Sequence, residues 1–158
     1  MPLPDSASLQ GRADPYRDFR FRVKWDGRIV AGVHRISGLR RVAEVVEYRD
    51  GGDAGPVHKS PGRIDFEPVT LERAITHDLE FDAWARQSNG ADTTALARLR
   101  RDLSIEVDDA QGRHVATFHV HRCWVSAYEV LPGLDALDGA AIERLTLQNE
   151  GWERQVAP

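Results

Sequence analysis

His119, His121 and Cys123 stand two apart in a stretch that alternates like a β-strand, which puts three soft ligands on one strand face. An H-x-H pair on a strand can hold zinc. Residues two apart are separated by about 7 Å, however, so a neighbouring strand would have to supply further ligands. His114 has the opposite parity and does not help. The alternative reading is a plain polar row facing solvent or a lumen. These three are the metal candidates, and no other residues ask for a cofactor.

Other chemistry finds little support. Asp108-Asp109 lies in an expected turn, where aspartate holds the backbone by local hydrogen bonds, so a glycosidase-type carboxylate pair is the weaker reading. The chain contains no G-x-S-x-G elbow, no phosphate-cradling G-x-x-x-x-G-K-S/T and no dinucleotide G-x-G-x-x-G. Hydrolase, nucleotide-binding and dehydrogenase readings therefore lose their usual basis, and the expectation is that the chain is not an enzyme. Arg35, Arg40 and Arg41 form one basic cluster and Arg98, Arg100 and Arg101 another, each with acidic residues nearby. Solvated faces explain both.

The elements that must carry these residues follow from periodicity. Phe19, Phe21, Val23 and Trp25 alternate with charged residues, which describes a half-buried strand, and Asp26-Gly27 suits a tight hairpin turn into an apolar stretch from Ile29 to Ile36. A third strand, Val42 to Tyr48, runs into the glycine-rich stretch Asp50 to Pro56, and Pro61-Gly62 ends that loop before a short returning strand through Ile64 and Phe66. The spacing of Phe81 and Trp84, with Asp78 and Glu80 at the positive end, predicts a helix from about His77 to Gln87, capped by Thr76 and closed by Asn89-Gly90. Residues 91–101 carry signals for a short further helical turn. Period two returns at Leu103, Ile105 and Val107, Asp108 to Gly112 makes a turn, and the longest strands follow from His114 to Val130. Leu131 to Gly139 is a loop, and Ala140 to Gln148 is the last strand. Ile142 and Leu145 fall on opposite parities there, which suggests a bulge or a register kink. Trp152 stands beyond it in a charged tail.

The whole reads as a mainly β (α+β) fold, an antiparallel sandwich or barrel of about seven to eight strands with one flanking helix. Residues 1–15 are expected to be a flexible arm, 16–154 one domain and 155–158 a tail. The 158 residues are 41% hydrophobic with 12 aromatics, enough for a core. Interleaved charges with a formal net of −4 argue against a dedicated nucleic-acid binder. One cysteine excludes an intramolecular disulfide framework. The start lacks the pattern of a secretory signal and no apolar run approaches a membrane span, so cytoplasmic synthesis without membrane insertion is expected.

Taken in order, several segments resemble the tail tube proteins of contractile phage tails and contractile injection systems. Asp14-Pro15-Tyr16 followed by Phe19-x-Phe21-x-Val23 is similar to the family's opening, and Val33 through Ser37-Gly38-Leu39 to its second strand and turn. Glu44 to Gly52 resembles the E-x-x-x-Y-R-x-G-G segment, Ser60-Pro61-Gly62-Arg63 the following P-G, Thr70 to Thr76 the L-x-R-G-x-T run, and Glu150-Gly151-Trp152 the H-E-G-x ending. Ala74 stands where the family usually has Gly, and Asn149 where His is common.

The resemblance implies a tail-tube, Hcp-like barrel whose copies form hexameric rings that stack into the inner tube of a phage tail or injection particle. The long hairpin, through Tyr48, Arg49, Asp50, Gly51, Gly52 and Lys59, would reach the neighbouring ring. The helix bearing Asp78, Asp82, Trp84 and Arg86 would face the sheath. Strand alternation nominates Glu44, Arg63, Asp65 and Glu67 for the lumen. Implied partners are further copies of the chain, sheath protein, baseplate or hub and tube-terminating proteins, and cargo protein or DNA in the lumen. A tube-initiating subunit at the baseplate, a ring-forming protein of a type VI secretion apparatus, and a small-ligand or metal-binding β-barrel enzyme are the other readings.

Overall fold

The computed structural model describes residues 19–52, 55–90, 93–131 and 141–156. The expected arm, the last two residues, positions 132–139 of the expected loop and Ala140 of the expected last strand lie outside them. Strand β1 (Arg20–Trp25) turns through Asp26 (φ 50°) and Gly27 (φ 71°) into β2 (Arg28–Ile29). Two successive left-handed residues match the right-handed twist of a two-residue hairpin, so Asp-Gly serves as expected. The stretch Ile29 to Ile36 is not one strand. It breaks at Gly32 (φ 78°), and β3 (Val33–Ile36) pairs elsewhere, with β6 (Val69–Ala74).

Between them β4 (Arg41–Tyr48) and β5 (His58–Phe66) form a ribbon of their own. Here the returning strand starts earlier than the sequence suggested, and Pro61 and Gly62 lie inside it. Among the described residues no second strand pairs with β5, so a proline there costs no further ladder.

Helix α1 (Glu80–Ser88) and a second helix, α2 (Thr93–Leu99), precede β7 (Arg101–Asp108), β8 (His114–Leu131), β9 (Ile142–Gln148) and β10 (Trp152–Val156). The second helix falls in the stretch that carries signals for a further helical turn. The expected tail also begins inside a strand, because Trp152 to Val156 pair with Val120 to Ala116. Leu131, expected in a loop, closes β8.

The main sheet runs β2-β1-β7-β8-β9-β6-β3, with β10 added alongside β8. Its organiser is β8: the first half pairs with β7 and β10, the second with β9, so one long strand joins the two layers. The core between them is built from Val23, Trp25, Leu103, Ile105, Val120, Cys123, Val125, Leu145, Leu147, Val69 and Leu71, closed by Phe81 and Trp84 of α1. Alternation in β9 buries Glu143, Leu145 and Leu147 together. The parity puzzle of Ile142 and Leu145 therefore has no bulge in β9. Ile142 lies on the other face, and the core row starts with a charged residue, while the irregularity falls in β8 at Ser126.

Glu143 is tolerated there because Arg73, fully buried, donates its Nε–H to it, and Tyr128 Oη donates to its second oxygen at 2.7 Å. Arg73 also reaches Asp78 Oδ2 (3.0 Å) and the Asp78 carbonyl (2.9 Å), with its guanidinium 4.0 Å from the centre of the Phe81 ring. A buried guanidinium is stable only when its donors are met, and these partners fix the chain entering α1.

Candidate assembly surface

Strands β4 and β5 bond to each other and to no further strand among the described residues. Alternation sorts their side chains into two faces. Arg40, Val42, Glu44, Arg63, Asp65 and Glu67 line one open concave surface, with Arg40 and Glu67 paired at 2.7 Å. The four residues nominated for a lumen are thus neighbours on one polar face. Arg40 and Val42 complete it, and extending the Glu44 parity backwards would have found them.

On the opposite face Phe66 rests against Gly151, where a Cβ would lie 3.4 Å from its ring, and Arg41 lies 5.8 Å from the Trp152 ring centre. These contacts anchor the base of the ribbon to the body. Asn149, in the place of a family histidine, adds an anchor by donating to the Glu67 carbonyl at 3.0 Å. Towards the tip Val45, Val46, Tyr48 and Ile64 are all exposed.

The register slips between Ala43 and Val45, with an extra residue on β5 beside Gly62. A Cβ on Gly62 would stand 2.9 Å from Val46 Cγ2 and 3.2 Å from Glu44 Cβ, so glycine is required for the two strands to approach. Near the tip the Tyr48 ring stacks on His58 at 5.4 Å, and Lys59 pairs across from Glu47. Arg49, Asp50, Gly51 and Gly52 are exposed, Gly52 with φ 89°.

The helix departs from expectation in two respects. Thr76 is not its cap: its hydroxyl accepts from Asp78 N (3.2 Å), and Asp78 Oδ1 in turn accepts from Glu80 N (2.9 Å). That backbone hydrogen bond, aided by Arg73, holds the Asp78 carboxyl below its ordinary value. Trp84, nominated as sheath-facing, is fully buried and donates Nε1–H to the Leu99 carbonyl at 3.2 Å. An amphipathic helix laid on a core turns its largest apolar residues inward, so Trp84 offers nothing to a partner. Asp82 and Arg86 are ion-paired at 2.9 Å on the outer side, Arg86 largely exposed. Ala74 does without glycine because its backbone is ordinary strand: among described non-glycine residues only Asp26 and Arg122 have positive φ.

Arg122 (φ 53°) also undoes the metal constellation. One residue in left-handed conformation reverses the alternation of β8, so Val120 and Cys123 both enter the core while His119 and His121 stay on the other side. Asp102 Oδ1 accepts the Arg122 N–H at 2.8 Å and supports the kink. His119 lies between Ser104 Oγ (3.3 Å) and Gln155 Oε1 (3.1 Å), and His121 beside Glu153 (3.6 Å). Burial pushes the Cys123 thiol up to about 12. Among the described residues no three His, Cys, Asp or Glu side chains are grouped to hold a metal.

Of the two basic clusters, Arg35 and Arg40 are on a solvated face as expected, whereas Arg100 and Arg101 are mostly covered by their neighbours and correct that reading. Arg35 meets Glu72 and Arg100 meets Glu150, while Arg101 lies beside Asp26 and over the Trp84 ring. Asp109 serves its turn, accepting from Gln111 N and Arg113 N.

The fold is similar to three solved assemblies of contractile systems. A chain of the anti-feeding prophage tube-terminating cap shares 21% identity over 97% of this chain and 100% of its own, with TM-score 0.74. A chain from the sheath-tube complex of the extracellular contractile injection system PVC, in the extended state, shares 23% over 87% and 89%, with TM-score 0.70. One from the anti-feeding prophage baseplate, solved with 6-fold symmetry, shares 20% over 88% and 93%, with TM-score 0.69. No curated protein matches the sequence. The family model described as T4-like virus tail tube protein gp19 matches residues 17–153, nearly the whole chain, and the chain therefore belongs to that tail tube family.

Proposed function

We propose that this tail tube protein works as a ring-forming structural subunit, six copies to a ring, with rings stacking into the inner tube of a phage tail or contractile injection particle. The observation that carries the reading is the β4–β5 ribbon. An isolated two-stranded ribbon is marginal in water, and this one exposes apolar residues on both faces beyond its anchored base. Strands of other copies complete it in a ring, and the unpaired edges are covered at the same time. The 6-fold symmetry of the similar baseplate assembly supports the ring number.

In this arrangement the polar face of Glu44, Arg63, Asp65 and Glu67 lines the lumen, and the tip from Tyr48 to Gly52 with Lys59 reaches the next ring. Asp82 and Arg86 meet the sheath. The partners are the sheath, a baseplate or hub, a terminator, and cargo protein or DNA in the channel. No reaction is assigned to the chain: a rigid conduit guides cargo while the sheath does the work. The protein is made in the cytoplasm and assembled into the particle there. Deleting residues 50–55 tests the reading. The deletant should fold and lose tube formation, because Asp50, Gly51 and Gly52 are exposed and lie outside the core. Long tubes from the deletant would refute the stacking role.

A further inference from the structure

Two apolar surfaces of the chain are uncovered, and they differ in shape. One is an open groove of about 330 Å³, walled by Phe21, Leu39, Val107, Phe118 and Trp152. The other is the underside of the β4–β5 ribbon, whose root lies on the body through Phe66 at Gly151 and Arg41 at Trp152. Alternation carries Ala43, Val45 and Glu47 onto the side that Arg41 begins, and the register sets Ile64 opposite Ala43 and Pro61 opposite Val45. The four apolar residues are all exposed, Val45 at 61% and Ile64 at 57%. The ribbon thus leaves the groove of its own chain open.

We propose that the underside of the ribbon, through Ala43, Val45, Pro61 and Ile64, seats in this groove on a second copy of the chain. The inference rests on the ring reading above and names the surface that receives the ribbon. Continuity favours this occupant. Within one chain the root of the underside already packs at the rim of the groove, with Arg41 over Trp152, so the contact between copies prolongs a packing that the chain itself makes. Charge favours it too. Arg154, 6.0 Å from the centre of the Phe118 ring, and Arg41 stand beside the groove, while Glu47 ends the underside near the tip. Among the described residues none of the three has an ion-pair partner, although Lys59 stands opposite Glu47 in register.

A concave and a projecting apolar surface on one molecule make a head-to-tail contact, which repeats from copy to copy and closes into a ring at the right rotation. The contact removes both exposed patches from water at once. A salt bridge from Glu47 to Arg154 would fix the register of ribbon on groove.

The test is a cross-link between two full-length variants, mixed and allowed to assemble. One carries Val45→Cys. The other carries Gly38→Cys, whose Cβ enters open space between groove residues Ser37 and Leu39, or, as control, Ala83→Cys on the exposed side of α1. Buried Cys123, its thiol pushed up to about 12, stays out of the reaction. A short bismaleimide is added, and the linked peptides are mapped by mass spectrometry. The proposal expects position 45 to link to 38 about tenfold more than to 83. Adding Glu47→Arg to the first variant should reduce that linkage, and adding Arg154→Glu to the second should restore it. Equal linkage to 38 and 83, or linkage chiefly of 45 to 45, in samples that form rings would overturn the docking site and leave the ring reading standing. Single chains at every concentration by electron microscopy would overturn both.

Discussion

The indole of Trp84 stands edge-on to that of Trp25, with ring centres 5.0 Å apart and planes at 62°. Through this pair α1 is fastened to the first strand, and the helix becomes part of the core. Trp84→Ala should therefore cost about 3–5 kcal/mol in chemical denaturation. Asp82→Ala and Arg86→Ala, on the outer side, should shift stability by no more than about 0.5 kcal/mol each and act only on sheath binding. A Trp84→Ala protein of unchanged stability would mean that the helix is not seated as described.

Gly62→Ala places a methyl group 2.9 Å from Val46 Cγ2, within a ribbon that pairs with no other strand among the described residues. The main sheet should be indifferent, so the isolated chain keeps its circular dichroism spectrum and melting temperature. Assembly should suffer, with fewer and shorter tubes by negative-stain microscopy. Equal loss of melting temperature and assembly would show that the ribbon is energetically part of the body.

Arg73→Met leaves the buried Glu143 carboxylate with the Tyr128 hydroxyl but no countercharge, removes the guanidinium beside Asp78, and should cost about 3–5 kcal/mol at neutral pH. Replacing Arg73 and Glu143 together by apolar residues should cost less than Arg73→Met alone, which a double-mutant cycle would measure.

Much of this architecture is legible in the sequence. Period two finds β1, β4, β7, β8 and β9, and Asp26-Gly27 marks the first turn. What escapes is decided by tertiary context. No local signal announces that Arg122 will be left-handed, yet that one angle separates Cys123 from His119 and His121. Trp152 looks like a tail residue until Gly151 (φ 140°) turns the chain back along β8. Trp84 has helical spacing, but spacing alone does not say which side of the helix meets a sheet. The polar face of β4–β5 is legible because a strict alternation produces it, whereas the exposure of Val45 and Ile64 follows only from the ribbon's isolation.

Acid should weaken the fold through carboxylates held below their ordinary values. The Glu80 backbone N–H acts on Asp78, and the Lys24 ammonium, hydrogen-bonded at 2.7 Å, acts on Glu106. Each group binds protons more weakly folded than unfolded. Its contribution is complete above the ordinary values, 3.8 for Asp78 and 4.5 for Glu106, and fades as pH falls through the lower folded values. Asp78→Asn and Glu106→Gln should flatten the acid limb of a stability-against-pH curve and leave its slope above pH about 6 unchanged.

The lumen-facing assignment carries an electrostatic consequence. Two arginines and three carboxylates share the polar ribbon face, on a chain of net charge −4. Assembled tubes should therefore bind short duplex DNA weakly at low salt. Tight binding that falls steeply with added salt would mean a basic lining and a different wall.

Cryo-electron microscopy of the purified full-length chain, over a concentration series, tests the central claim most directly. The account predicts six-membered rings that stack into tubes. Val45, Val46, Tyr48 and Ile64 should be covered by neighbouring copies, and Glu44, Arg63, Asp65 and Glu67 should face the channel. Particles that remain single chains at every concentration, or rings that leave the β4–β5 ribbon bare, would contradict it.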